Sequence, residues 1–130
     1  MSTLKADVAI IRKVPTFASL SDEQLSEILS APDNGIVEYP SLAAVIEENE
    51  IGNCMFIILD GLVDVRIKAV GGREITIATL KAGEFFGEQA LLPGASGRRN
   101  ASVRVVRDCV LFKITKKDVA LGLAEHEDIP

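Results

Sequence analysis

Apolar residues at helical spacing open the chain: Leu4, Val8 and Ile11 predict a helix that stops before Pro15. A second helix is signalled at Ser21, a capping residue with Gln24 in the capping-box position and Leu20 placed to staple onto Leu25. Ile28 and Leu29 continue its apolar face until Pro32. From residue 36 to 114 the period shortens to that of strands. Cys54 to Leu59 is a continuous apolar run closed by Asp60-Gly61, a hairpin cue. Val63, Val65, Ile67 and Ala69 alternate with Asp64, Arg66 and Lys68, the pattern of a strand with one wet face. Gly71-Gly72 predicts a tight turn, and Glu74 to Leu80 the returning strand. Ser102 to Val106 and Cys109 to Ile114 predict a further pair, bent at Arg107-Asp108. A last helix is expected over 115–125, with Thr115 as cap, Asp118 in the box position and Ile114 stapled to Val119.

Helices, then many short strands with regular turns, then a helix predict one α+β domain over residues 1–130. Its parts are a helical lead-in (1–31), an antiparallel β-roll of the jelly-roll or barrel type (36–114) and a C-terminal helix (115–125). A chain of 130 residues, 48% of them hydrophobic, is long enough to bury its own core. The net charge of −5 excludes the broad basic face of a nucleic-acid or membrane-surface binder, so any anion must be caught by a local device. No transmembrane run appears, and MSTLKADVAI does not read as a signal peptide, so a cytoplasmic location is expected. Cys54 and Cys109 then read as reduced core thiols. His126, the one histidine, lies in an acidic tail without a ligand partner at metal spacing. Neither a metal, a cofactor nor a catalytic nucleophile is expected, and the chain does not read as an enzyme.

The candidate device is FFGEQALLPGASGRRNAS, residues 85–102. Gly87 permits a tight turn, and Glu88 to Leu92 allows about one turn of helix before Pro93. Such a turn presents free N–H groups and its positive dipole end, a ready anion site. Arg99 follows as a planar donor fork suited to phosphate oxygens. Glu88 is out of place beside an anion unless the ligand also offers hydroxyl donors, as a ribose does, and phosphate plus ribose means a nucleotide. The residue types equally allow a solvated loop, with Glu88 complementing the dipole and the arginines paired with Glu84 or Glu88.

Phe86-Gly87-Glu88-x-Ala90-Leu91-Leu92 followed by Arg99-x-Ala101-Ser102-Val103 resembles the phosphate-binding cassette of the cyclic-nucleotide-binding domain family. That family includes bacterial catabolite activators, regulatory subunits of the cyclic-AMP-dependent kinase and cyclic-nucleotide-gated channels. Val14-Pro15-x-Phe17-x-x-Leu20-Ser21 and Met55-Phe56-Ile57-Ile58-x-x-Gly61-x-Val63-x-Val65 are similar to its lead-in and central hairpin. The likeness covers residues 10 to 120. It implies that Arg99, with the backbone N–H groups of Ala90 and Asn100, takes the phosphate, and that Glu88, with the backbone of Gly87, takes the ribose 2′-hydroxyl. Val65, Ala78 and Leu80 match the apolar pocket around sugar and base, with Phe86, Leu91, Ala101 and Ser102 completing it. Arg98 matches no ligand contact.

Three features depart from the family. Leu42 and Asn49 stand where it usually carries glycines; Asn49 tolerates a left-handed backbone, whereas Leu42 predicts a different local turn. The loop from Pro93 to Arg98 is a residue or two longer. The lid helix of the family has no counterpart after Glu125, so the chain is expected to be a fragment of a larger regulator or to bind without its own lid. The implied function is a regulatory sensor that binds a cyclic nucleotide and relays this to an attached or partner effector. Asn100, where cyclic-GMP-binding members often carry threonine, favours cyclic AMP over cyclic GMP. No nucleic-acid contact or membrane segment is expected within the chain. The competing expectation is a family member that senses nothing and serves as an interaction or assembly domain.

Overall fold

A computed structural model describes residues 8–92 and 94–119. Helix α1 (Val8–Arg12), a 3-10 turn (Pro15–Phe17) and helix α2 (Asp22–Ser30) form the lead-in. Ser21 caps α2 as its sequence predicts: its hydroxyl accepts from the Gln24 N–H, and the Gln24 side chain accepts from the Ser21 N–H. Arg12 ties the lead-in together through the Leu20 carbonyl (2.9 Å) and the Asp22 carboxylate. Leu4 and His126 lie outside the described residues.

Six antiparallel strands follow: β1 (Gly35–Tyr39), β2 (Ala44–Ile46), β3 (Cys54–Lys68), β4 (Glu74–Lys81), β5 (Phe85–Phe86) and β6 (Ser102–Thr115). They lie in the order β1-β6-β3-β4, with β2 paired to β6 and β5 to β3. The run from Cys54 to Ile58 is buried throughout because β3 separates two apolar layers. Met55 and Ile57 face the lead-in helices with Phe17, Leu25 and Ile114, while Cys54, Phe56 and Ile58 face the inside of the roll with Val63, Val103 and Leu111. Strand alternation sends successive side chains to opposite layers. Both cysteines are buried and unpaired, and burial pushes the Cys109 thiol up.

Two expected turns are absent. Asp60-Gly61 closes no hairpin but lies within the continuous β3, and Arg107-Asp108 lies within the continuous β6. The β3–β6 register shifts three times between Ile58 and Val63, so the two strands bend together around one corner of the roll. Gly61, at φ 106°, permits this: a Cβ there would stand 2.5 Å from the Asp108 carbonyl and 2.6 Å from Cys109 Sγ. At the same corner the Asp108 carboxylate accepts from the Ser41 N–H (2.8 Å) and hydroxyl (2.9 Å), which hold its carboxyl below the ordinary aspartate value. The Gly71-Gly72 turn joins β3 to β4 as expected, with the Ala69 N–H bonded to the Arg73 carbonyl at 2.8 Å.

Leu42 takes the backbone conformation expected of a glycine, φ 75°, as does Asn49. Its side chain is 84% exposed and gains no packing in return. Leu42→Gly is therefore expected to raise stability by about 1 kcal/mol, the strain relieved less the extra entropy of glycine. A thermal melt should rise by roughly 3–5 °C; a fall would mean that Leu42 is not strained.

Residues 116–119 are helical, and the rest of the expected C-terminal helix lies outside the described residues. Asn34 joins the two ends of the domain. Its amide donates to the Ile28 carbonyl and to the Asp118 carboxylate, and its carbonyl accepts from the Thr115 N–H. Among the described residues no helix is long and apolar enough to cross a membrane, and no cluster of His, Cys, Asp and Glu could hold a metal ion.

Candidate functional site

The cassette is anchored where β5 pairs with β3, Phe86 opposite Phe56, and the two rings stack with centroids 5.3 Å apart. Gly87 turns the chain at φ 90°, and a 3-10 turn, Gln89–Leu91, follows at once. The N–H groups of Leu91 and Leu92 bond back to Glu88 and Gln89, while those of Gln89 and Ala90, at the open end of the turn, take no backbone acceptor. The expected single turn with free amides is thus present.

The paired arginines separate at the far limb. Residues 97–99 run antiparallel to 49–52 through three backbone bonds: Asn49 N–H to the Arg99 carbonyl (2.8 Å), Arg99 N–H to the Glu50 carbonyl (2.7 Å) and Gly52 N–H to the Gly97 carbonyl (2.8 Å). On this extended segment neighbouring side chains point apart. Arg98 is exposed and donates to the Asn49 carbonyl. Arg99 turns inward and is 7% exposed. Its guanidinium donates to the carbonyls of Gly87 (2.6 Å) and Cys54 (2.8 Å), linking the near limb of the cassette to β3. Gly52 makes room for it, since a Cβ there would stand 2.9 Å from both Arg99 Cζ and Ala90 Cβ.

Among the described residues no carboxylate pairs with Arg99; the ion pairs are Arg12–Asp22 and a network of Arg66 and Arg104 with Asp64, Glu74 and Glu47. A buried cation held only by two carbonyls and the Cys54 sulfur (3.8 Å) leaves its charge uncompensated, and its five-donor fork has N–H groups to spare. Pairing of the arginines with Glu84 or Glu88 does not occur. The Glu88 carboxylate borders the same cavity and accepts no hydrogen bond from the described residues.

That cavity measures about 270 Å³. It brings together Val65, Phe86, Gly87, Glu88, Ala90, Arg99, Asn100 and Ala101 of the residues expected from the sequence, and leaves Ala78, Leu80, Leu91 and Ser102 outside its walls. Leu91 is buried against the helical layer and Leu80 packs inside the roll. The Ser102 hydroxyl accepts from the Glu48 N–H. Ala78 pairs with Val65, but the β3–β4 register slips next to it, and Ile77 meets the cavity in its place. Ile46, Ile77, Phe85, Gln89 and Val103 were not foreseen as lining residues. Gln89 carries a polar contact of its own: its Oε1 accepts from Asn100 Nδ2, across the mouth of the cavity.

The model of the cyclic nucleotide-binding domain matches residues 36–126. The cyclic AMP receptor protein of Thermus thermophilus is 31% identical over 104 residues, 80% of this chain and 46% of that protein. The cyclic nucleotide-gated channel beta-3 of Canis lupus familiaris is 32% identical over 127 residues, 97% of this chain and 16% of that protein. Among solved structures, the regulatory domain of Toxoplasma gondii PKA, a co-crystal with cAMP, superposes with a TM-score of 0.80 at 25% identity, over 88% of this chain and 42% of that one. The chain thus spans less than half the length of these relatives.

Proposed function

The chain belongs to the cyclic nucleotide-binding domain family, and on that premise we propose that it is a regulatory sensor module, not an enzyme, that binds cyclic AMP in preference to cyclic GMP. The observation that carries the reading is the buried Arg99, charged and without an acid partner, on the wall of a cavity that also holds an unbonded Glu88. The cyclic phosphate takes the spare donors of Arg99 and the amides of Ala90 and Asn100, a charge-assisted contact in a dry place. Arg99 keeps its carbonyl partners as it does so, which holds the guanidinium plane in position before the ligand arrives. Glu88 accepts the ribose 2′-hydroxyl, and Ile46, Val65, Ile77 and Val103 pack on sugar and base. A ligand moves an attached effector only through differential affinity for two arrangements, and the Asn34–Asp118 contact is where the roll meets the following helix. The cytoplasm is where such a module and its ligand meet.

Calorimetric titration with cyclic AMP, cyclic GMP and 5′-AMP tests this. Micromolar or tighter binding of cyclic AMP, weaker binding of cyclic GMP and none of 5′-AMP is expected. Glu88→Gln should weaken cyclic AMP several-fold, less than loss of Arg99, because an amide oxygen still accepts the hydroxyl. No heat with any of the three would leave an interaction or assembly domain as the reading.

A further inference from the structure

We propose that Gln89 and Asn100 act as one hydrogen-bonding unit that reads the base, and that the cavity thereby selects a base whose edge sets an N–H beside an acceptor. The inference rests on the cyclic-nucleotide reading above. Four polar side chains border the cavity: Glu88, Gln89, Arg99 and Asn100. With the phosphate on Arg99 and the sugar hydroxyl on Glu88, the two amides remain for the base. A cavity of about 270 Å³ is small for a ligand site, so a nucleotide extends to the rim where they stand.

The amides are tied to each other. Asn100 Nδ2 donates to Gln89 Oε1, and neither side chain bonds to any other described residue. A primary amide has a donor side and an acceptor side. Alone, an exposed asparagine turns over to offer whichever side a ligand requires. Tied, the pair spends one donor and one acceptor on itself and always leaves the complementary acceptor and donor at the mouth. If both amides turn over together, the two roles exchange but the couple stays the same. Adenine matches it with its amino group beside a ring nitrogen, and guanine with its ring N–H beside the carbonyl oxygen. An unsubstituted purine offers acceptors alone and leaves the amide oxygen without a donor. Gln89 is thus a positioning residue that acts through Asn100.

The test compares cyclic AMP with the 3′,5′-cyclic monophosphate of unsubstituted purine riboside, which keeps phosphate, sugar and ring. The parent chain is expected to prefer cyclic AMP by about tenfold. Gln89→Leu and Asn100→Ala should each bring that ratio close to one, and the double variant should add nothing further, the mark of a coupled pair. Gln89→Glu keeps an acceptor for Asn100 and should retain the preference, while its charge weakens both anions alike. Both side chains are exposed, so melting temperatures should hold and report folding independently. Equal affinity of the parent for the two ligands, or a preference that survives in Gln89→Leu, overturns the proposal and leaves the sensor reading intact. Binding of neither ligand by the parent overturns both.

Discussion

Arg99→Ala is expected to weaken cyclic AMP binding by roughly ten- to a hundredfold, the loss of a charge-assisted phosphate contact of about 1.5–3 kcal/mol. The structure adds a second consequence. The guanidinium donates to the carbonyls of Gly87 and Cys54, and its removal takes that donor from both and leaves an unfilled space. Stability should fall by about 1–3 kcal/mol, visible in a melt even without ligand. Arg99→Lys keeps the charge but cannot span two carbonyls and a phosphate, so it should recover affinity only partly. Calorimetry and melting on the same preparations separate the two effects. A variant that melts lower yet binds as tightly as the parent would place the phosphate away from Arg99.

Gly61→Ala should be the more damaging change to the fold. Its Cβ would fall 2.5 Å from the Asp108 carbonyl, and φ 106° lies where a side chain is strained whatever the space around it. The neighbouring atom is backbone in a paired strand and cannot rotate away. We expect a loss of about 3–5 kcal/mol, a large share of the stability of a domain of this size. The melting midpoint should drop by roughly 10–20 °C. A shift of only a few degrees would show that β3 and β6 do not meet closely at this corner.

What the sequence made legible was local. The Ser21–Gln24 box and the Gly71-Gly72 turn depend on residues a few positions apart, and both form as read. Asp60-Gly61 and Arg107-Asp108 carry the chemistry of turns, yet each becomes a bend inside a longer strand, because the partner deciding the outcome is the other bend. The cassette motif located Glu88, the free amides and Arg99. It did not show that Arg99 is buried, since the carbonyl of Cys54 and the vacancy at Gly52 that accept it belong to a distant segment. Ile77 in place of Ala78 follows from a slip in register, which alternation alone does not encode. Leu42 was legible as a departure, but not that the backbone keeps the glycine conformation around it.

The pairing of β3 with β6 also joins segments far apart in the chain. Cys54 lies opposite Thr115 and Arg66 opposite Ser102, so the stretch 67–101 is a loop closed by those two strands. Contacts so distant in the chain make for slow folding, since the entropy of closure is lost before the pairing compensates it. The cassette from Phe85 to Ala101 sits inside that loop, and Arg99 can reach the Cys54 carbonyl only once the loop is shut. The site proposed for the nucleotide is therefore incomplete until the roll is closed. On the proposed reading, a ligand that binds only the finished site is expected to leave the rate of folding alone and to slow unfolding, so that occupancy lengthens the lifetime of the folded domain.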